Sequence, residues 1–193
     1  IETLNRPVSD IKLSIVTHMH PDHVFGNAPF AADGTAFVAH HKMARGLAAR
    51  AERFLAINRP LLGDVAFEGT RIVLPSVAID KETALDLGGR RLLLVPQRTA
   101  HTDNDLIVRD EETGTVFMGD LLFSGHVPTL DGSIKGWLSL LATLSSAEAH
   151  RGVARVVPGH GPASMPWPDA SAPIRRYLER VASGVRAWMK AGP

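Results

Sequence analysis

The chain has 193 residues, 45% of them hydrophobic, enough for a sizeable buried core in one domain or one and a half. Its 21 basic and 20 acidic residues leave a net charge of +1, which points away from nucleic acid or an anionic membrane as the main partner. It contains no cysteine, so disulfides, thiolate nucleophiles and thiolate metal sites are excluded, and any metal must be held by nitrogen and oxygen. No apolar run approaches the ~20 residues of a membrane-spanning helix. The chain opens at Ile1 rather than Met, with twelve residues before the first clear strand. The expectation is that an N-terminal portion, a signal peptide being one candidate, is missing from it.

In chain order, residues 1–5 read as the tail of a helix stopped by Arg6-Pro7. Residues 13–17 read as a buried strand. Gly26-Asn27 is turn chemistry, and Ala28-Pro29-Phe30 opens a short helical turn. Residues 36–39 form a short apolar strand. Over residues 40–57, Met43, Leu47, Ala51, Phe54 and Leu55 recur at helical spacing opposite Lys42, Arg45, Arg50 and Arg53, an amphipathic helix with Pro60 just beyond its end. Residues 61–83 read as a loop with short strands near Ile72-Val73-Leu74. Two hairpins follow, 84–87 with 91–95 across Gly88-Gly89, and 105–109 with 115–118 across residues 111–114. Their apolar runs are continuous, which implies burial on both faces. Ser133 caps a helix carrying Ile134, Trp137, Leu138, Leu141 and Leu144 on one side. Residues 153–157 are a last strand, and Pro173 opens a closing helix with Ile174, Tyr177, Leu178, Val181, Val185 and Trp188 inward. Strands in hairpins with helices between and after them fit two packed sheets covered by helices.

The chemistry concentrates where the first strand ends. His18, His20, Asp22 and His23 place three imidazoles and a carboxylate within six residues. Side chains at i and i+2 of a strand share a face, so His18 and His20 are expected to aim at one centre. Pro21 stops the ladder, the chain turns, and Asp22 and His23 face a second centre. Imidazole nitrogen and carboxylate oxygen are the ligands zinc takes, three protein groups plus water in a catalytic site. His101, Asp120 and His160 each follow another apolar strand, with glycines beside Asp120 and His160 that permit close approach. A lone buried histidine is ordinarily a hydrogen-bonded core residue, and an aspartate after a strand is ordinarily a helix cap. Five of the nine histidines and two aspartates on four strand ends are not explained that way. Thr17, Thr102 and Asn104 are candidates to orient the ligands, and His126 to contact substrate. His40, His41 and His150 read as surface groups.

The pattern His18-x-His20-x-Asp22-His23, then His101, Asp120 and His160, resembles the metallo-β-lactamase superfamily of metallohydrolases. Thr17, Gly26-Asn27, Gly119-Asp120 and Pro158-Gly159-His160-Gly161 agree with it. The resemblance implies an α+β fold, a four-layer αβ/βα sandwich, as one domain over residues 1–193 that lacks the strands usually preceding the histidine motif. It implies that His18, His20 and His101 hold one Zn2+, that Asp22, His23 and His160 hold a second, and that Asp120 bridges them. Asp120 and Asp22 are then the catalytic candidates, and a zinc-bound hydroxide would act on a small ester, thioester or amide-type substrate. A bridging aspartate and no cysteine ligand are nearer to glyoxalase II than to true β-lactamases. The stretches Thr99-Ala100-His101-Thr102-Asp103-Asn104-Asp105, Gly119-Asp120-Leu121-Leu122-Phe123, Gly125-His126 and Leu130-Asp131-Gly132-Ser133 resemble the SoxH-like, quinoprotein relay system zinc metallohydrolases. That placement implies a periplasmic protein, with the cytoplasm as the alternative, serving a redox or sulfur-oxidation partner. Two other readings stay open: a mononuclear iron persulfide dioxygenase, and a zinc module that assists a redox partner without catalysis.

Overall fold

The computed structural model describes residues 7–149 and 151–192, so the helix tail expected at residues 1–5 and the surface position expected for His150 lie outside the described residues. The chain divides into two compact units, Ile1–Asp80 and Lys81–Pro193, each with its own sheet and core. The fold is mixed α+β, with two sheets and helices. No described helix is long and apolar enough to cross a membrane.

The first unit holds a sheet of order β1-β2-β3, formed by β1 (Leu13–Ile15), β2 (Ala36–His40) and β3 (Val77–Ile79). All pairings are parallel, with Ser14 opposite Phe37 and Ala39 opposite Ala78. Parallel strands need long crossovers. The first passes through α1 (Pro21–Val24) and α2 (Ala28–Ala31), the second through α3 (Met43–Leu62) and α4 (Asp64–Phe67). Val16, Met19, Val24, Phe37, Ala39, Met43 and Leu47 form the core, with Phe54, Ile72 and Val73 packed on it. Met43 and Leu47 lie one turn apart on α3, the spacing that puts both on its inner face.

Two expectations for this unit are corrected. Pro60 does not lie beyond α3 but inside its last turn, and the helix continues to Leu62. Only the last turn must tolerate the missing N–H, and Gly63, at φ 80°, donates its own N–H across the proline to Arg59 O at 2.9 Å. The strand near residues 72–74 forms later, at β3. Pro75 removes a ladder donor between the two stretches. Ser76 then sets the register, its N–H donating to Phe37 O at 2.9 Å while its Oγ accepts from Phe37 N at 3.0 Å.

The second unit holds five strands in chain order: β4 (Thr83–Asp86), β5 (Arg91–Pro96), β6 (Leu106–Asp110), β7 (Thr115–Phe123) and β8 (Arg155–His160). The first four are antiparallel, and β8 returns parallel to β7, with Val116 opposite Val156. The β4–β5 turn is held by Asp86, whose Oδ1 accepts from Gly88 N and Gly89 N at 2.9 and 3.0 Å. Both glycines have positive φ, which most residues resist. Leu106, Ile107 and Val108 are all buried, as their unbroken apolar run implied. α5 (Ile134–Leu144) is capped by Ser133, whose Oγ accepts from Gly136 N at 3.1 Å, and it buries Trp137 and Leu141. α6 (Ala172–Ala191) buries Ile174, Leu178 and Ala182. Contrary to expectation, Val185 and Trp188 do not face inward: they are 50% and 70% exposed, because the helix runs past the core it packs on.

Candidate metal centre

In the first unit, β1 leaves its ladder after Val16, whose N–H donates to Val38 O at 2.9 Å. His18 and His20 therefore sit just past the end of the strand, where the sequence placed them, with His20 extended at φ −68° and ψ 150°. Extended backbone still alternates, and Met19, fully buried in the core, pins the segment between the two histidines. His18 Nε2 and His20 Nδ1 lie 3.1 Å apart. Thr17 Oγ1 lies 3.2 Å from His18 Nδ1; with Nε2 bound to a metal, Nδ1 would carry the ring proton and donate it to the hydroxyl. Pro21 starts α1 at the position where a missing N–H costs nothing. Asp22 Oδ2 and His23 Nε2 are 3.2 Å apart, and the His23 ring centroid is 4.2 Å from that of His18. His18 and His20 are buried, whereas the Asp22 side chain is half exposed.

In the second unit, His101 follows β5 in a loop organised by Asp105. That buried carboxylate accepts from Thr102 Oγ1 at 2.7 Å, from Thr102 N at 3.0 Å and from the His101 backbone N–H. Burial pushes the Asp105 carboxyl up to about 7, against the Thr102 and His101 hydrogen bonds, which favour its charged form. Thr102 Oγ1 also accepts from Asn104 N at 3.1 Å, and Asn104 Nδ2 donates to Asp103 at 2.7 Å. Thr102 and Asn104 thus build the loop that carries His101. The loop abuts the start of α5. Ser133 N donates to Ala100 O at 2.8 Å, and a β-carbon on Gly132 or Gly136 would strike the backbone carbonyls of Ala100 or Thr99. Trp137 meets His101 edge-on with ring centroids 5.1 Å apart, and its Nε1 donates to Leu121 O at 3.0 Å.

Asp120 was expected just past a strand; it lies within β7. Gly119, at φ 52°, marks a register shift against β8 that lets the strand continue to Phe123 while the side chain is re-aimed. Likewise His160 is the last residue of β8, paired with Phe123, rather than part of the following loop. Asp120 Oδ2 lies 3.4 Å from His101 Nε2 and 3.4 Å from His160 Nε2. Phe123 stacks on His160 at 4.9 Å and 18°. His126 is exposed, its Nδ1 3.1 Å from Ser124 O and its ring 5.9 Å from that of His160.

These spacings fit a metal. A tetrahedral zinc with ligand bonds of about 2.0–2.2 Å holds its donors roughly 3.3–3.6 Å apart. His101–Asp120 and Asp120–His160, both 3.4 Å apart, fall inside that range, and His18–His20 and Asp22–His23, at 3.1 and 3.2 Å, fall just below it. One oxygen of Asp120 faces two imidazoles at equal distance, the position of a shared ligand. Each unit therefore carries metal-ligating side chains, His18, His20, Asp22 and His23 in the first and His101, Asp120 and His160 in the second. His40 is not part of either cluster, and it is not the surface group expected. It ends β2, buried, its Nδ1 accepting from Lys42 N at 3.1 Å and its ring stacked 4.4 Å from exposed His41. Met19, Asp105, Phe123 and Trp137 have roles that spacing alone did not disclose.

The family model described as the Metallo-beta-lactamase superfamily matches residues 1–179. The chain belongs to the metallo-β-lactamase superfamily. Solved structures agree on the fold. A metallo-beta-lactamase from Pontibacter korlensis aligns with a TM-score of 0.68 at 20% identity, covering 91% of this chain and 71% of that one. The mono-zinc form of the metallo-beta-lactamase FIM-1 from Pseudomonas aeruginosa gives 0.66 at 20% identity, covering 93% and 70%. A metallo-beta-lactamase family protein from Thermus thermophilus gives 0.64 at 22% identity, covering 98% and 65%. No curated protein matches the chain in sequence. Members of this superfamily are metal-dependent hydrolases, and the ligand pairs described above are of the kind such chemistry needs.

Proposed function

We propose that the protein is a dinuclear zinc hydrolase of a small ester, thioester or amide. In this reading His18, His20 and His101 hold one ion, Asp22, His23 and His160 hold the other, and Asp120 is shared. The observation that carries it is the equal 3.4 Å spacing of Asp120 Oδ2 from His101 and His160. Two bound divalent ions supply Lewis acidity and a water acidic enough to be a nucleophile at neutral pH. The Asp120 carboxylate would orient the attacking water and relay its proton to the leaving group. Asp22, half exposed, holds the open side of the site. A proton on His126 Nδ1 is donated to Ser124 O, which leaves Nε2 as an acceptor for a substrate N–H or O–H beside His160.

The finer placement is with the SoxH-like, quinoprotein relay system zinc metallohydrolases, supported by the stretches around His101, Asp120, His126 and Asp131. From that placement follow a periplasmic location and a redox or sulfur-oxidation partner.

Metal analysis of the purified protein, followed by thioester, lactam and phosphoester substrates, tests the reading. About two zinc per chain and carboxyl-ester or thioester turnover, lost in Asp120→Ala with the metals retained, are expected. One iron per chain with oxygen consumption would replace the hydrolase with a dioxygenase. Two zinc without turnover on any substrate would replace it with a non-catalytic accessory.

A further inference from the structure

The second half of α6 carries an apolar stripe that the described residues of its own unit leave exposed. At 100° per residue, Ile174, Leu178, Val181, Ala182, Val185, Trp188 and Met189 fall within an arc of about 120°. The first turns of this stripe are core, with Ile174 and Leu178 3% and 0% exposed. Past Ala182 the same stripe emerges into solvent: Val185 is 50%, Trp188 70% and Met189 69% exposed. Arg186 lies next to its emerging edge on the helical wheel, and Lys190 sits further round, on the polar side. Gly184 and Ala191 border the other edge, where small side chains leave the backbone able to approach a surface.

The charge of this element is unlike that of the chain. Across α6, Arg175, Arg176, Arg180, Arg186 and Lys190 face a single acidic residue, Glu179, whereas the whole sequence is nearly balanced. An amphipathic helix of modest overall hydrophobicity, cationic on its polar side and carrying tryptophan on its apolar side, suits the headgroup boundary of a bilayer. Trp188 can place its ring there with its N–H hydrated. Arg186 can lay its stem along the apolar edge and reach an anionic headgroup, with Lys190 adding charge from the polar side. An apolar protein groove would satisfy Val185 and Met189, but it would leave Arg186 at the rim without counter-charge.

We infer that the C-terminal half of α6 docks the protein on an anionic phospholipid surface. The inference does not depend on the reaction the protein catalyses. Flotation of the full chain with vesicles tests it, using phosphatidylcholine alone and phosphatidylcholine mixed with phosphatidylglycerol. Binding to the mixed vesicles only, with a blue shift of tryptophan emission and loss at high salt, is expected. Trp188→Ser and the pair Arg186→Glu with Lys190→Glu alter exposed positions, so circular dichroism should be unchanged. Each should weaken vesicle binding by about tenfold or more. Equal binding to neutral vesicles, or none to either, overturns the inference. So does a concentration-dependent dimer in solution that Trp188→Ser abolishes, which would assign the stripe to a second copy of the chain.

Discussion

Gly159 lies directly against the Asp120 carboxylate, so close that a β-carbon at position 159 would land on Oδ1. No other residue type leaves Asp120 where it is. Gly159→Ala must push the carboxylate away from His101 and His160, or distort the β7–β8 pairing at Pro158. The expected outcome is affinity for a divalent metal weakened by about 10–100-fold, measured by competition with a chromogenic chelator. Gly26→Ala, at a position with open space around it, is the matched control and should leave affinity unchanged.

Thr17 touches the site through a single atom. Thr17→Val keeps the shape but removes the hydroxyl 3.2 Å from His18 Nδ1. The histidine then loses the partner that fixes its tautomer, and zinc affinity should fall by about tenfold while the urea midpoint barely moves. A large drop in stability with unchanged affinity would instead make the contact structural.

Trp137 acts on two things at once. Its indole N–H satisfies the buried Leu121 carbonyl at 3.0 Å, and its edge meets His101. Trp137→Phe keeps an aromatic edge but leaves that carbonyl without its donor. Unfolding stability should drop by about 2 kcal/mol, from the unmet hydrogen bond together with lost volume. Urea denaturation with an unchanged slope checks this.

Asp110 gives the acid-stability behaviour. Arg90 pairs with it, and Thr113 Oγ1 donates to it at 2.8 Å. The guanidinium and these hydrogen bonds hold its carboxyl down to about 2, from an ordinary value of 3.8. A lowered carboxyl favours the folded state above the ordinary value, and that advantage fades as pH falls through the lowered one. The stability gap between the protein and Asp110→Asn should thus be constant above about pH 5 and close between about pH 4 and 2. Arg90 is half exposed, so water screens the pair and the gap should be modest.

Local signals marked out what local geometry decides. The β4–β5 hairpin was legible because Gly88-Gly89 admits few backbones, and the α5 start because Ser133 caps it. The histidine motif was legible because neighbours in sequence are neighbours in space at this spacing. Asp120 was placed one step off because Gly119 absorbs a register shift that no alternation pattern reveals. His40 looked like a surface group because its burial depends on the β2 pairing. The inner face of α6 was identified correctly over its first half. Periodicity says which face is apolar; it does not say how far the covering body extends. The roles of Trp137 and Asp105 depend on neighbours 16 residues away in Leu121 and on a loop folded back to Thr102. Propensity carries no information on either.

The three strands of the first sheet all run the same way, so their carboxyl ends line one edge. The histidine segment leaves from the end of β1, and the stacked His40–His41 pair leaves from the end of β2. His41 and Lys42 are exposed, while the strand before them is anchored in the core. Exchanging residues there offers a way to retune what approaches the histidines without disturbing the foundation that aims them.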